Sequence, residues 1–159
     1  MSVWSEAKVY AFDGRVVHAT REHACTIVAG SAPADAIVPT SLRAEVIAKY
    51  VGPVPENASR FDCGCVLAAI PADKWAEPLR RDSVAEVVVV ILGACLDARY
   101  LEPLALMECD LRVWKLAGGI EGDEYAPVVF DDGTMRLVVM PRHGDRRLEG
   151  AAHVITVTP

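Results

Sequence analysis

No stretch of this sequence is apolar for long enough to cross a bilayer. The longest, "VVVVILGACL", runs only from Val87 to Leu96 between Glu86 and Asp97, far short of the roughly 20 residues a spanning helix needs. A secretory leader is not expected, because "MSVWSEAKVYAF" carries Glu6 and Lys8 where an unbroken apolar region is required. Positive charge is in short supply: 16 Lys and Arg against 22 Asp and Glu give a net charge of −6. That balance disfavours sequence-independent binding to a phosphate backbone, so nucleic acid is demoted as a partner. Cysteines number only five, an odd and scattered set, which points to reduced thiols in a cytosol-like, cytoplasmic setting rather than a disulfide framework.

Phosphate-loop chemistry is also missing. "AGGIEG" has neither the lysine of a P-loop nor the glycine spacing of a dinucleotide fingerprint, and Glu121, Asp123 and Glu124 beside it repel phosphate. "VVHAT" holds one H-x-T, half of a two-histidine phosphoesterase site. The later histidines read His143-Gly144-Asp145 and His153-Val154-Ile155, so the second half is absent. No cofactor is expected.

What is present suffices for a core. The chain has 159 residues, 52% hydrophobic and 24% charged, enough to fold as one domain without a disulfide or a metal. Period-2 patterning opens the chain. Val3, Ala7, Val9 and Ala11 share one parity, while Trp4, Tyr10 and Phe12 share a mixed outer face with Glu6 and Lys8. Asp13-Gly14 supplies the positive-φ pair of a tight hairpin turn, followed by a strand over Val16–Thr20 and another within His23–Gly30. Thr40 or Ser41 caps a helix over Ser41–Val51, stopped by Gly52-Pro53. Its apolar positions are Leu42, Val46 and Tyr50, with Ile47 and Val51 beside them. "GPVPENASRFDCG" reads as a loop, "CVLAAI" as a buried strand, and "PADKWAEPLRRD" as a second helix with Pro71 in its first turn.

"DSVAEVVVVILGACL" is ambiguous. Ser83 and Glu86 match a capping box, yet the β-branched run favours a buried strand from about Ala85 to Gly93. The alternative is a helix reaching Glu102 and stopped by Pro103. Further on, Met107, Cys109, Leu111 and Val113 form the core face of a strand whose other face carries Glu108, Asp110 and Arg112. A hairpin across Asp132-Gly133 and a last strand, "HVITVT", complete the chain. About nine strands and two helices, mostly joined by short turns, predict a single α+β domain with a mainly antiparallel sheet or partly open barrel.

Two groups of residues are candidate sites. His23, Cys25, Cys63 and Cys65 offer a Cys3His set for zinc, although C-x-C spacing is tighter than that of common zinc sites. Cys63 could alternatively act as a nucleophile with His18 or His23 as base, but Asp62 beside it pushes the thiol the wrong way. The second group is a contact surface. Trp114 shares its strand face with Arg112 and Asp110, and serves as a contact anchor if exposed or as core if a helix covers it. Arg142, Arg146 and Arg147 crowd one charged loop that can hold an anionic group. With no dense catalytic constellation, the expectation is a small, acidic, non-enzymatic protein-binding or assembly module, of inhibitor, immunity, anti-defence or viral-assembly type. Its partner would be another protein or a second copy, with no membrane. The alternative is a small thiol- or zinc-dependent enzyme built on the cysteine cluster.

Overall fold

The computed structural model describes residues 3–20, 23–62, 87–108, 110–116, 126–142, 151 and 153–159. The fold is α+β, as the sequence predicts. A seven-stranded sheet has the order β1-β2-β3-β9-β8-β7-β4, built from β1 (Lys8–Phe12), β2 (Arg15–Thr20), β3 (Ala24–Ala29), β4 (Ser59–Asp62), β7 (Asp110–Lys115), β8 (Val128–Asp131) and β9 (Met135–Val139). Every pairing in it is antiparallel. The sheet stays open, with β1 and β4 as its edges. A second sheet has the order β10-β5-β6, from β5 (Val87–Ile91), β6 (Ala94–Asp97) and β10 (His153–Val157). In it β10 runs parallel to β5. Among the described residues, one α-helix, α1 (Ser41–Tyr50), and two 3₁₀ segments, Val3–Glu6 and Ala98–Leu106, accompany the sheets.

Side-chain alternation along the strands of the large sheet creates two cores. One face gathers Phe61, Leu111, Val113, Val128, Phe130, Leu137 and Val139 with Val87, Val89, Ile91 and Leu96 of the small sheet and Leu101 and Leu104 of the long 3₁₀ segment. The opposite face gathers Val17, Cys25, Ile27, Trp114, Val129 and Val138 with Ile47 of α1. The molecule is therefore layered, with the large sheet in the middle, the small sheet on one side and α1 on the other.

The ambiguous valine run is a strand. It ends in a turn that the sequence reading did not anticipate, because Leu92 and Gly93 both take positive φ, 52° and 78°, and reverse the chain into β6. A left-handed leucine costs about 1–2 kcal/mol, and the Leu92 side chain offsets this by packing on the main core. The helical alternative survives only beyond that hairpin. Asp97 accepts from the Arg99 amide at 3.0 Å, the 3₁₀ segment starts there, and Pro103 lies inside it instead of ending it. At Asp13-Gly14 the expected turn is present, with φ of 45° and 72°. At Asp132-Gly133 the Asp132 carboxylate organises the hairpin by accepting from the amides of Thr134 and Met135.

Three readings are corrected. Ser59–Asp62 is an edge strand paired with β7, not loop; its alternating burial was hidden by the Pro and Asn before it. The stretch before α1 is not merely a loop either, since Ile37 bonds to Val9 and Ala11 at 2.9 Å and covers the edge of β1. On β1 itself, Tyr10 and Phe12 are not outer residues, because they pack against the second core. The strand "CVLAAI" and the helix from Pro71 lie outside the described residues.

Candidate functional site

Helix α1 leaves its face of the sheet incompletely covered. Its N-terminus is set by Thr40, whose hydroxyl accepts from the Arg43 amide at 3.3 Å, satisfying one of the amides that have no partner inside the helix. Its C-terminal end is tied down more firmly by Arg136 of β9. The Arg136 Nε donates to Asp131 at 2.6 Å, and Nη1 donates to the Tyr50 carbonyl at 2.7 Å and to that of Gly52. The guanidinium also lies over Trp114, 5.1 Å from the ring centroid. One side chain thus couples the end of α1 to β7, β8 and β9.

The helix is short, and Ile47 is its one buried residue. Leu42 remains 74% exposed and Val46 37%. Between this under-buried flank and the sheet runs a groove of about 390 Å³, walled by Tyr10, Val17, Leu42, Val46, Ile47 and Tyr50, with Cys25 and Val138 beneath. That volume falls within the roughly 300–1,000 Å³ range of ligand-binding clefts. Apolar exposure continues past the groove onto Ile37 and Val38, the latter 82% exposed.

The polar groups of the groove are few. Arg43 sits with its guanidinium carbon 5.7 Å from the Tyr10 ring centroid, a cation–π contact. Burial pushes the Cys25 thiol up from 9.0 to about 12, with the charge of Arg43 opposing. Burial likewise raises Tyr50 to about 12, with Cys25 adding to the rise and Arg43 opposing it. A thiol held protonated in this way is the opposite of an activated nucleophile, which needs its pKa lowered.

The residues singled out in the sequence are scattered. Cys25 lies in the groove floor, and His23 lines one end of the groove, its ring 5.7 Å from that of Tyr100. Cys63 and Cys65 lie outside the described residues, and among the described residues no group of three or more His, Cys, Asp or Glu is placed to hold a metal ion. His18 is exposed on β2. Trp114 is covered rather than exposed: it is 8% accessible and packs in the core beneath α1, so the strand parity predicts its face and the helix decides its burial. Arg112 shares that face, is half-buried and donates to the Ala58 carbonyl at 3.3 Å. Arg142 is anchored through its amide to the Cys95 carbonyl at 2.8 Å, while Arg146 and Arg147 lie outside the described residues. Sequence reasoning did not single out Tyr10, Leu42, Arg43 or Val46 as a site. The available signal was the width of the apolar stripe on α1, which exceeds what one short helix can bury.

Among the described residues no helix is long and apolar enough to cross a membrane. The chain matches no protein-family model, and comparison with the curated proteins and with the solved structures returns no match.

Proposed function

We propose that the protein is a non-enzymatic protein-binding module that captures an apolar segment of a partner in the groove beneath α1. The observation that supports this reading is the exposure of Leu42 and Val46 along an apolar cleft on a helix that buries only Ile47. Contiguous exposed apolar surface of this kind marks interaction sites. A cleft of about 390 Å³ has room for a few anchor side chains of a linear segment. The net charge of −6 also favours association with a partner of opposite field and opposes self-pairing.

The test compares wild-type protein with the Leu42→Asp/Val46→Asp variant. Both side chains are exposed, so the variant should unfold within a few degrees of wild type. A partner captured by wild type is then purified and titrated calorimetrically against both proteins. The expected outcome is a dissociation constant at least about tenfold weaker for the variant, the equivalent of roughly 1.4 kcal/mol. Equal binding by the variant, or a wild-type dimer that the variant abolishes, would overturn the groove as the site for a partner segment. Failure of wild type to retain any protein above bare resin would overturn the binding-module reading itself.

A further inference from the structure

Resting on that reading, we infer that the groove recognises an acidic side chain set among apolar anchors, with Arg43 as its anion contact. The chain carries 22 acidic residues against 16 basic ones, yet among the described residues the groove is lined by no aspartate or glutamate and by one arginine and one histidine, Arg43 and His23. A cleft whose described lining carries cations and no carboxylate presents, in an acidic protein, a local field opposite to that of the whole molecule.

Arg43 also differs from the two arginines locked into close ion pairs. Arg99 is bound to Asp97 at 2.5 Å and Arg136 to Asp131 at 2.6 Å, whereas Arg43 forms no ion pair with any described residue. Its guanidinium carbon lies over the Tyr10 ring, 5.7 Å from the centroid, at one wall of the groove. A stacked guanidinium keeps its edge donors available, and those donors suit a carboxylate. Its position is electrostatically coupled to the groove, because its charge acts on both Cys25 and Tyr50. The first turn of α1 adds to the same field. Thr40 lines the groove, no acidic residue occupies that turn, and a helix start carries partial positive charge. An acidic group docked beside Leu42 and Val46 completes both the ion pair and the helix terminus.

The experiment is a selection of displayed random dodecapeptides on immobilised wild-type protein, repeated on Arg43→Met, Arg43→Lys and Leu42→Asp/Val46→Asp. Wild type is expected to enrich peptides with Asp or Glu at a fixed spacing from two apolar anchors. Arg43→Met should keep the anchors and lose the acidic position, and Arg43→Lys should keep both. A synthetic copy of an enriched peptide is then titrated with its acidic residue intact or replaced by the amide. The replacement should weaken binding to wild type about tenfold and leave binding to Arg43→Met unchanged, the non-additivity expected of a direct pair. Enrichment of apolar anchors with no fixed acid, or an amide replacement equally costly in both backgrounds, would overturn the role of Arg43 while leaving the groove a binding site. Absence of any enrichment above bare resin, or enrichment indifferent to Leu42→Asp/Val46→Asp, would overturn the groove reading beneath it.

Discussion

The two faces of the large sheet are made from the same strands and finished differently. On one face, Leu111, Val113, Val128, Phe130, Leu137 and Val139 are fully sealed by the small sheet and the long 3₁₀ segment. On the other, Val129 and Val138 are also buried, but the helix above them leaves two of its own apolar side chains in water. The first face is covered by a broad layer with many anchor points. The second is covered by a ten-residue helix held chiefly through Arg136 at one end. Stability resides on the sealed face, and accessible apolar surface is left where the cover is narrow.

The largest expected effect lies on the sealed face. Phe130→Ala should cost about 3–5 kcal/mol, the lost transfer free energy plus the cavity, as read from urea denaturation; a cost below about 1 kcal/mol would place Phe130 in a space as loosely filled as the groove. Arg136→Met should come next. It leaves the buried Asp131 carboxylate unpaired, frees the Tyr50 and Gly52 carbonyls and removes the cover of Trp114, for about 2–4 kcal/mol. Hydrogen exchange should show the loss concentrated in α1 and β9. Uniform loss across β5 and β6 would show instead that the two faces are not separable.

A further expected effect is a dependence of stability on pH. Burial pushes Cys25 and Tyr50 up to about 12 in the folded protein, above their ordinary 9.0 and 10.0. Their neutral forms are therefore favoured by folding, and that stabilisation is complete below about pH 9 and lost as pH rises toward 12. Cys25→Val should flatten this alkaline loss measured by denaturant titration, and an unchanged slope would assign it elsewhere. At the acid end Asp132 behaves oppositely. Burial raises its pKa, but the amides of Glu108, Met135 and Thr134 and the Thr134 hydroxyl outweigh it and hold the carboxyl below its usual value. Its contribution is present above about pH 4 and disappears as pH falls through the lowered value.

Local rules were sufficient where the determinant was local. Asp13-Gly14 and Asp132-Gly133 turn as their backbone chemistry requires, α1 starts at Thr40, and Leu111 and Val113 face the core that their alternation assigns them. They failed where a distant residue supplied the missing term. Leu92 takes a left-handed conformation because the core receives its side chain. Ser59–Asp62 becomes a strand because β7 offers an edge. The site shows the same division. Its apolar helix positions were visible in the sequence, but Arg43 acquires its stacking partner only when Tyr10, more than thirty residues earlier, lies beneath it.

By itself the sequence determined the α+β class, the mainly antiparallel pairing and the two Asp-Gly hairpin turns, and favoured a strand for the valine run, because periodicity and turn chemistry act within a few residues. Tertiary structure alone decided the order of the strands, the parallel placement of β10 beside β5 and which of the two apolar flanks of α1 would be covered. Those outcomes depend on which surfaces compete for burial, and a ten-residue helix can seal only one of its flanks against a sheet. The flank left open is where the groove lies.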